Sequence, residues 1–394
     1  MKIKSILALG LLSLGLTSLV NAQTTNYVYI TGSTAFRPAA FTSMYNQFSP
    51  APVVSAWKAA TATDPTGAAE QQITGTIGGA NYVITCLWSG SEAGITDITG
   101  NGTRAFMAPG ATPATNTLSA GYTGSRTNHV VDLAFADNSQ AFSKTTTPTA
   151  TGVRIGIIPF VFLKNAQTNA PSDWLALTNV TDVAFRSCLK QGGLKAAQFT
   201  GNPADTNRYV YISGRDNNSG TRVNTFADTG YGIKSSANQV NISGSDLAPT
   251  LAATTSGQSS GGTLVSTMGF RGSATAFDSI NGTVGVTNGW YAIAYAGMYD
   301  ADVALSNGCV QLTFNGVDEN TTTLTEGNYS FWGYEFLYQS INNLSSGGST
   351  LYTLLTQSNA AAITAACDGT HTIALGAMKC SRLNNNPTAD PVHN

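Results

Sequence analysis

Tyr209-Val210-Tyr211-Ile212, followed after Ser213-Gly214 by Arg215-Asp216-Asn217-Asn218-Ser219-Gly220-Thr221-Arg222, is the stretch on which the reading of this chain turns. Alternating aromatic and β-branched residues predict a strand. Ser219-Gly220-Thr221 predicts the opening of a helix, with Arg215 held at a fixed distance ahead of it. That turn suits a small oxyanion. Orphan N–H groups and two hydroxyls donate hydrogen bonds, and the guanidinium adds a planar, permanently charged fork. A second turn of the same kind comes earlier. Tyr27-Val28-Tyr29-Ile30 runs into Thr31-Gly32-Ser33-Thr34-Ala35-Phe36, then into Phe41, Met44, Tyr45 and Phe48 at helical spacing. The two turns are expected to face each other across one cleft.

Working outward, strand-like and helix-like runs alternate, which predicts an α/β architecture. Gly152 to Leu163 reads as a buried strand whose pairing Pro159 limits. Leu177 to Val183 reads as a capped helix start continuing through Phe185 and Leu189. Trp290 to Tyr295 and Val310 to Phe314 read as strands, and Tyr334 to Ile341 as a helix after a turn at Gly327-Asn328-Tyr329. Residues 59–79, 101–128 and 235–263 are rich in Thr, Ser, Ala and Gly and read as surface loops. The tail 384–394 reads as disordered.

Met1 to Ala22 has the plan of a secretory signal peptide: Lys2 and Lys4, an apolar run from Ile6 to Leu16, and small residues at Val20-Asn21-Ala22. No later run is long and apolar enough to span a membrane. Loss of Lys2 and Lys4 with the leader takes the formal charge from −2 to −4, which gives no support to nucleic-acid binding. Only 10% of residues are charged, so a charge inside a motif carries weight. The five cysteines show no metal spacing; Cys367 and Cys380 form a candidate disulfide in an oxidising compartment. His129, His371 and His393 are scattered, and neither a metal nor another cofactor is expected.

With these motifs in order, the chain resembles the phosphate-binding proteins of bacterial ABC importers, two-lobed members of the periplasmic binding protein class (type II). Thr31 to Phe36 with Pro38 is similar to the family's first phosphate loop, and Trp88-Ser89-Gly90-Ser91-Glu92-Ala93-Gly94-Ile95 to its second. Val131 to Asp137 resembles the strand that ends in a binding aspartate, and Gly156 to Leu163 the strand that crosses into the second lobe. Arg215, Ser219, Gly220 and Thr221 match the second-lobe motif in spacing and identity.

The resemblance implies a two-lobed fold with a central anion cleft. It divides the chain into a leader at 1–22, lobe one at 23–150, lobe two at 151–286, and a return to lobe one at 287–394. It further implies a monomeric periplasmic or extracellular protein that performs no chemistry, binds inorganic phosphate or a similar oxyanion, and delivers it to an ABC permease. Ser33, Thr34, Phe36, Ser91 and Asp137 would line the cleft from lobe one, and Arg215, Ser219, Gly220 and Thr221 from lobe two.

Each of these residues has a plainer role to weigh. Arg215 alone would read as a surface or ion-paired arginine; the Ser-Gly-Thr behind it favours the anion site. Ser219 and Thr221 also suit a helix cap, and Ser33, Thr34 and Phe36 a capped start with Pro38 in the first turn. A cap and an anion cradle use the same orphan N–H groups. Asp137 is either a turn aspartate or the discriminating acceptor, which takes the proton of monohydrogen phosphate and rejects unprotonated sulfate.

Two features depart from the family pattern. Glu92 puts a carboxylate beside the second loop, and Ala35 replaces a hydroxyl. With the insertions and the low charge, they motivate a second reading: a surface or matrix protein that keeps the fold without tight anion affinity. A phosphohydrolase would need a metal cluster or an activated nucleophile, and the sequence displays neither.

Overall fold

Strand Gly152–Lys164 is the spine of the molecule. In the computed structural model, which describes residues 24–57, 64–100, 102–111, 121–165, 175–204, 209–243, 248–251, 257–268, 275–278, 283–287 and 291–394, it is buried from Ile155 onward. Its first part, Gly152 to Pro159, pairs antiparallel with Trp332–Gln339. Its second part, Phe160 to Lys164, pairs with Tyr291–Gly297, and its end also with Val310–Phe314. The change of partner falls at Pro159, a residue with no N–H to give to a ladder. One continuous strand therefore belongs to both halves.

Around this spine most of the described strands form one mixed sheet, with the others in two-stranded pairs. Its order is Leu194–Lys195, Tyr209–Ser213, Tyr291–Gly297, Gly152–Lys164, Trp332–Gln339, Leu133–Ala136, Asn26–Gly32, Ala80–Leu87, Glu70–Ile77 and Val53–Trp57. Asn26–Gly32 lies parallel to both Ala80–Leu87 and Leu133–Ala136, and Tyr209–Ser213 parallel to Tyr291–Gly297. Each half thus carries a parallel set whose carboxyl ends converge on one crevice, where open α/β sheets bind ligands. Strand Trp332–Gln339 pairs with Leu133–Ala136 on one side and with the crossing strand on the other.

In the first half, helix Arg37–Tyr45 lays Phe41 and Met44 on a core that includes Val28, Ile30, Ile84 and Phe135. In the second, Phe162 packs against Phe331 at 4.8 Å, Phe185 at 5.0 Å and Phe314 at 5.3 Å between ring centroids. Of the stretch Leu177 to Val183 expected to start a helix, Asn179–Val180 pairs instead as a strand with Thr313 and Phe314. The helix runs Asp182–Gln191, and its N-cap Thr181 accepts from the Ala184 N–H at 3.2 Å.

Several sequence expectations give way. Residues 334–341, expected as a helix, belong mainly to strand Trp332–Gln339. Trp332, Tyr334, Phe336 and Tyr338 all join one cluster and Leu337 another, which is a period of two, and aromatic residues fill a pleated surface well. The expected loop 59–79 contains strand Glu70–Ile77, joined to Ala80–Leu87 through Gly78-Gly79, both at positive φ as a tight hairpin requires. The expected loop 101–128 supplies Thr103–Met107, paired with Arg126–Val130. The expected loop 235–263 holds Val240–Ser243, paired with Ala248–Leu251, and opens helix Gly261–Met268.

The C-terminal tail is held rather than disordered. Val392–His393 pairs with Cys380–Ser381, and the buried Arg382 donates to the carbonyls of Pro387 and Ala389. No disulfide links Cys367 to Cys380, and none of the five cysteines is in a disulfide. Cys380 is fixed in the short tail strand with Sγ toward the Leu324 carbonyl, and Cys367 caps helix Ser346–Ala366. The proposed leader and Trp290 lie outside the described residues.

Candidate functional site

At the crevice the chain leaves three parallel strands of the first half and enters loops or helix starts. Gly32 ends the first strand, and the Ser33 N–H donates to the Phe135 carbonyl at 2.8 Å, stitching that loop to the next strand. Helix Ser91–Thr99 starts beside it, tied by the Gly90 N–H to the Gly32 carbonyl at 2.8 Å. Asp137 follows strand Leu133–Ala136 directly. From the second half, strand Tyr209–Ser213 leads to Arg215, and Ser219 caps helix Gly220–Asp228, accepting from the Arg222 N–H at 3.2 Å.

The nine residues expected to line the cleft are all buried, and contacts among them run across it. Asp137 is their centre. Its Oδ1 accepts from the Ser33 hydroxyl, and its Oδ2 from the Thr221 hydroxyl at 3.3 Å. Its N–H donates to Ser91 Oγ at 3.1 Å, and its carbonyl accepts from Asn224 Nδ2 at 3.0 Å. Arg215 reaches back to the first loop, Nη2 donating to Thr34 Oγ1 at 3.2 Å. Phe36 gives its N–H to Ser33 Oγ at 3.0 Å, while its ring stacks near Phe135 in the core. Its backbone donor therefore orders the loop.

Arg215 is 1% exposed, and the groups its guanidinium touches are neutral. Nε donates to the Gln258 carbonyl at 3.1 Å and Nη2 to the Ser259 carbonyl at 3.2 Å. Its N–H donates to the Tyr295 hydroxyl at 3.0 Å, and its carbonyl accepts from Gln239 at 3.1 Å. Among the described residues no carboxylate sits at ion-pair distance from it. A desolvated guanidinium held by carbonyls and hydroxyls keeps its charge for an incoming anion.

Sequence reasoning missed the supporting frame. Arg37 and Asp300, both buried, form an ion pair at 3.2 Å that joins the first helix to the segment after Tyr291–Gly297. Burial raises the Asp300 carboxyl pKa, and Arg37 and Arg215 pull it back. Asn224 clamps the Asp137 carbonyl, one helical turn beyond Gly220. Its signal was its place on the helix that the motif itself opens.

Glu92 is turned away from Asp137 toward the loop after it. Its Oε1 accepts from Asn138 at 2.8 Å, and its Oε2 from Ser143 at 3.0 Å and the Lys144 N–H at 2.6 Å. Burial raises its pKa, and these hydrogen bonds oppose that rise. The carboxylate that seemed hostile to an anion instead pins the loop behind the aspartate.

Gly220 sets the closest approach of the halves. A Cβ there would lie 2.5 Å from Ser91 Oγ, 2.7 Å from Ser91 Cβ and 2.8 Å from Asp137 Cβ. Gly220→Ala should favour the helix itself, since alanine exceeds glycine in helix propensity by about 1 kcal/mol. The same methyl should oppose closure by about 1–3 kcal/mol. The expected result is weaker ligand binding with unimpaired thermal stability, checked by titration beside a melting curve. Equal affinity in the variant would refute the close contact.

No family model matches the sequence, and no curated protein matches it. The structure is similar to a protein described as a phosphate ABC transporter substrate-binding protein from Clostridium perfringens, solved with bound phosphate. The two share 13% identity over 89% of this chain and 100% of that one, with a TM-score of 0.50. An ABC-type phosphate transport receptor from Vibrio cholerae matches at 13% identity over 86% of this chain and 97% of that one, TM-score 0.43. PstS from Borrelia burgdorferi matches at 12% identity over 89% and 98%, TM-score 0.39. The Clostridium likeness establishes the fold: this chain has the two-lobed α/β architecture of the periplasmic binding proteins.

Proposed function

We propose that this protein binds inorganic phosphate between its two lobes, performs no chemistry on it, and hands it to an ABC permease outside the cytoplasm. The observation that carries the proposal is the presence of Asp137 and Arg215, not paired with each other, in one buried cluster. Asp137 accepts from hydroxyls of both halves, and Arg215 is a buried cation with no carboxylate among the described residues in contact. Between them, the start of helix Gly220–Asp228 offers orphan N–H groups and a favourable dipole. An ionised Asp137 accepts the proton of monohydrogen phosphate, whereas sulfate brings none and would set two oxyanions against each other. The bound phosphate of the Clostridium protein, which shares this fold, supports the same reading.

Both lobes contribute, so the ligand stabilises the closed state by contacting each. The leader-like N-terminus supports export, and we take the protein to act as a monomer. The matrix-protein reading loses its main motive, because Glu92 is engaged by Asn138, Ser143 and Lys144.

Thermal unfolding in an oxyanion series tests the proposal. A ligand at a hundredfold excess over its Kd adds about 2.7 kcal/mol. Phosphate and arsenate should raise Tm and sulfate should leave it unchanged. A rise with sulfate equal to that with phosphate would remove Asp137 as discriminator.

A further inference from the structure

The fold places a second carboxyl behind Asp137. Glu335 lies on strand Trp332–Gln339, opposite Gly156 of the crossing strand, and is 0% exposed. The strand register slips between Glu335 and Phe336, an irregularity that re-aims side chains and clusters near functional sites. Among the described residues no donor group reaches either oxygen of Glu335. Strand Trp332–Gln339 also runs antiparallel to Leu133–Ala136 with Phe336 opposite Ala136, so the next position along sets Glu335 across from Asp137, whose charge acts on it. Two ionised carboxylates are both acceptors and cannot bond each other; one proton between them makes a strong O–H···O⁻ bond.

Among the described residues, the remaining surroundings offer Glu335 no counter-charge. On the crossing strand, Gly156 has no side chain and Arg154 stacks over the Tyr334 ring at 4.9 Å. On helix Gly220–Asp228, Asn224 is neutral and bound to the Asp137 carbonyl, and Arg222 donates to the Arg215 carbonyl. In the first loop Ser33 is neutral, and Arg37 is paired with Asp300. On its own strand Tyr338 donates to no acid and feels the Glu335 charge unfavourably. Asp137 already holds donors from Ser33 and Thr221, so the proton of the pair belongs on Glu335. Burial first, and the Asp137 charge second, hold the Glu335 carboxyl well above the ordinary range.

We propose that Glu335 is a proton-bearing partner of Asp137, which donates to it in the folded protein and so limits the negative charge that a phosphate dianion meets. The proposal rests on the phosphate reading for its ligand. Its consequence is a ceiling in pH. Once Glu335 loses its proton the pair carries two charges, and affinity falls by up to about tenfold per pH unit. Above the second ionisation of phosphate the ligand itself no longer changes, so that fall belongs to the protein.

The test is phosphate titration from neutral to alkaline pH on the full chain and on Glu335→Gln and Glu335→Met, neither of which can ionise. Urea unfolding is followed over the same range and down to mildly acid pH without ligand. The sign of the second readout follows from the raised folded-state pKa. The folded protein keeps a proton that the unfolded chain loses near pH 4.3 or so. Parent stability should therefore fall as pH rises from there through the folded-state value, and the variants should lack that component.

An alkaline loss of affinity in the parent and a flat profile in the variants are the expected results. Identical urea profiles in parent and variants would overturn the assignment of the proton, and identical affinity profiles would overturn its role in binding. Absence of phosphate binding by the parent would sink the phosphate reading instead, while the ligand-free urea profiles still decide whether Glu335 holds the proton. If one variant does not fold, the other carries both readouts.

Discussion

Arg215→Ala removes most of the phosphate affinity while leaving the turn around it in place. The turn is anchored through its backbone, by Tyr295 and Gln239, and those bonds survive loss of the side chain. What disappears is a desolvated cation that bridges to Thr34 of the opposite lobe at 3.2 Å. Truncating one member of a buried, hydrogen-bonded charge pair costs about 2–5 kcal/mol. At roughly 1.4 kcal/mol per decade, that is about thirty-fold to several-thousand-fold in Kd. Arg215→Lys keeps the charge but loses the fork and should fall between the two. Titration of the three proteins reads this order directly. An alanine variant that binds as tightly as the parent would make Arg215 a structural residue.

Arg382→Ala carries the largest expected loss of stability. Arg382 and Asp228 pair at 2.7 Å with side chains 2% and 3% exposed. The guanidinium also reaches the carbonyls of Pro387 and Ser330 and lies over the Trp332 ring at 4.8 Å. It therefore fastens the tail to the far end of the helix whose start forms the anion site. Removing it strands a buried carboxylate, which costs about 3–5 kcal/mol.

Burial pushes the Asp228 carboxyl up to about 7, with Arg382 pulling it down. Without that pull the folded-state pKa rises further above the unfolded value. The deficit of the variant should then be smaller at acid pH, where Asp228 is neutral, and grow as pH rises through the folded-state pKa. Urea midpoints at constant slope measure it. The double variant Asp228→Leu/Arg382→Met should recover much of the loss, because no lone charge remains. A single-variant loss below about 1 kcal/mol, the scale of a surface pair, would contradict the account.

The parts of this molecule that follow from local chemistry were legible in the sequence. The two strand-to-helix turns, the crossing strand with its proline and the helix through Phe185 and Leu189 depend on nearby residues and appear as expected. Arg215, Ser219, Gly220 and Thr221 could be named as candidates because helix-start donors and an arginine at fixed spacing are themselves a sequence pattern, whereas Ser91 and Asp137 came from the family resemblance. What stayed hidden depends on distant partners. Trp332–Gln339 is a strand because two neighbours flank it, and no window of its own sequence displays them. The Gly78-Gly79 hairpin signal was present but lay inside a low-complexity stretch read as a loop. Tail order depends on Arg382 meeting Asp228, 154 residues away. Glu335 could not be distinguished from an exposed strand glutamate until the fold set it beside Asp137.

Calorimetric titration of the refolded protein, stripped of bound anion by unfolding, with phosphate and separately with sulfate is the most direct test of the central claim. One phosphate per chain, bound in a saturable step, with no heat from sulfate at neutral pH, is the predicted result. Absence of heat from phosphate in a folded sample, with no change in Tm, would contradict it.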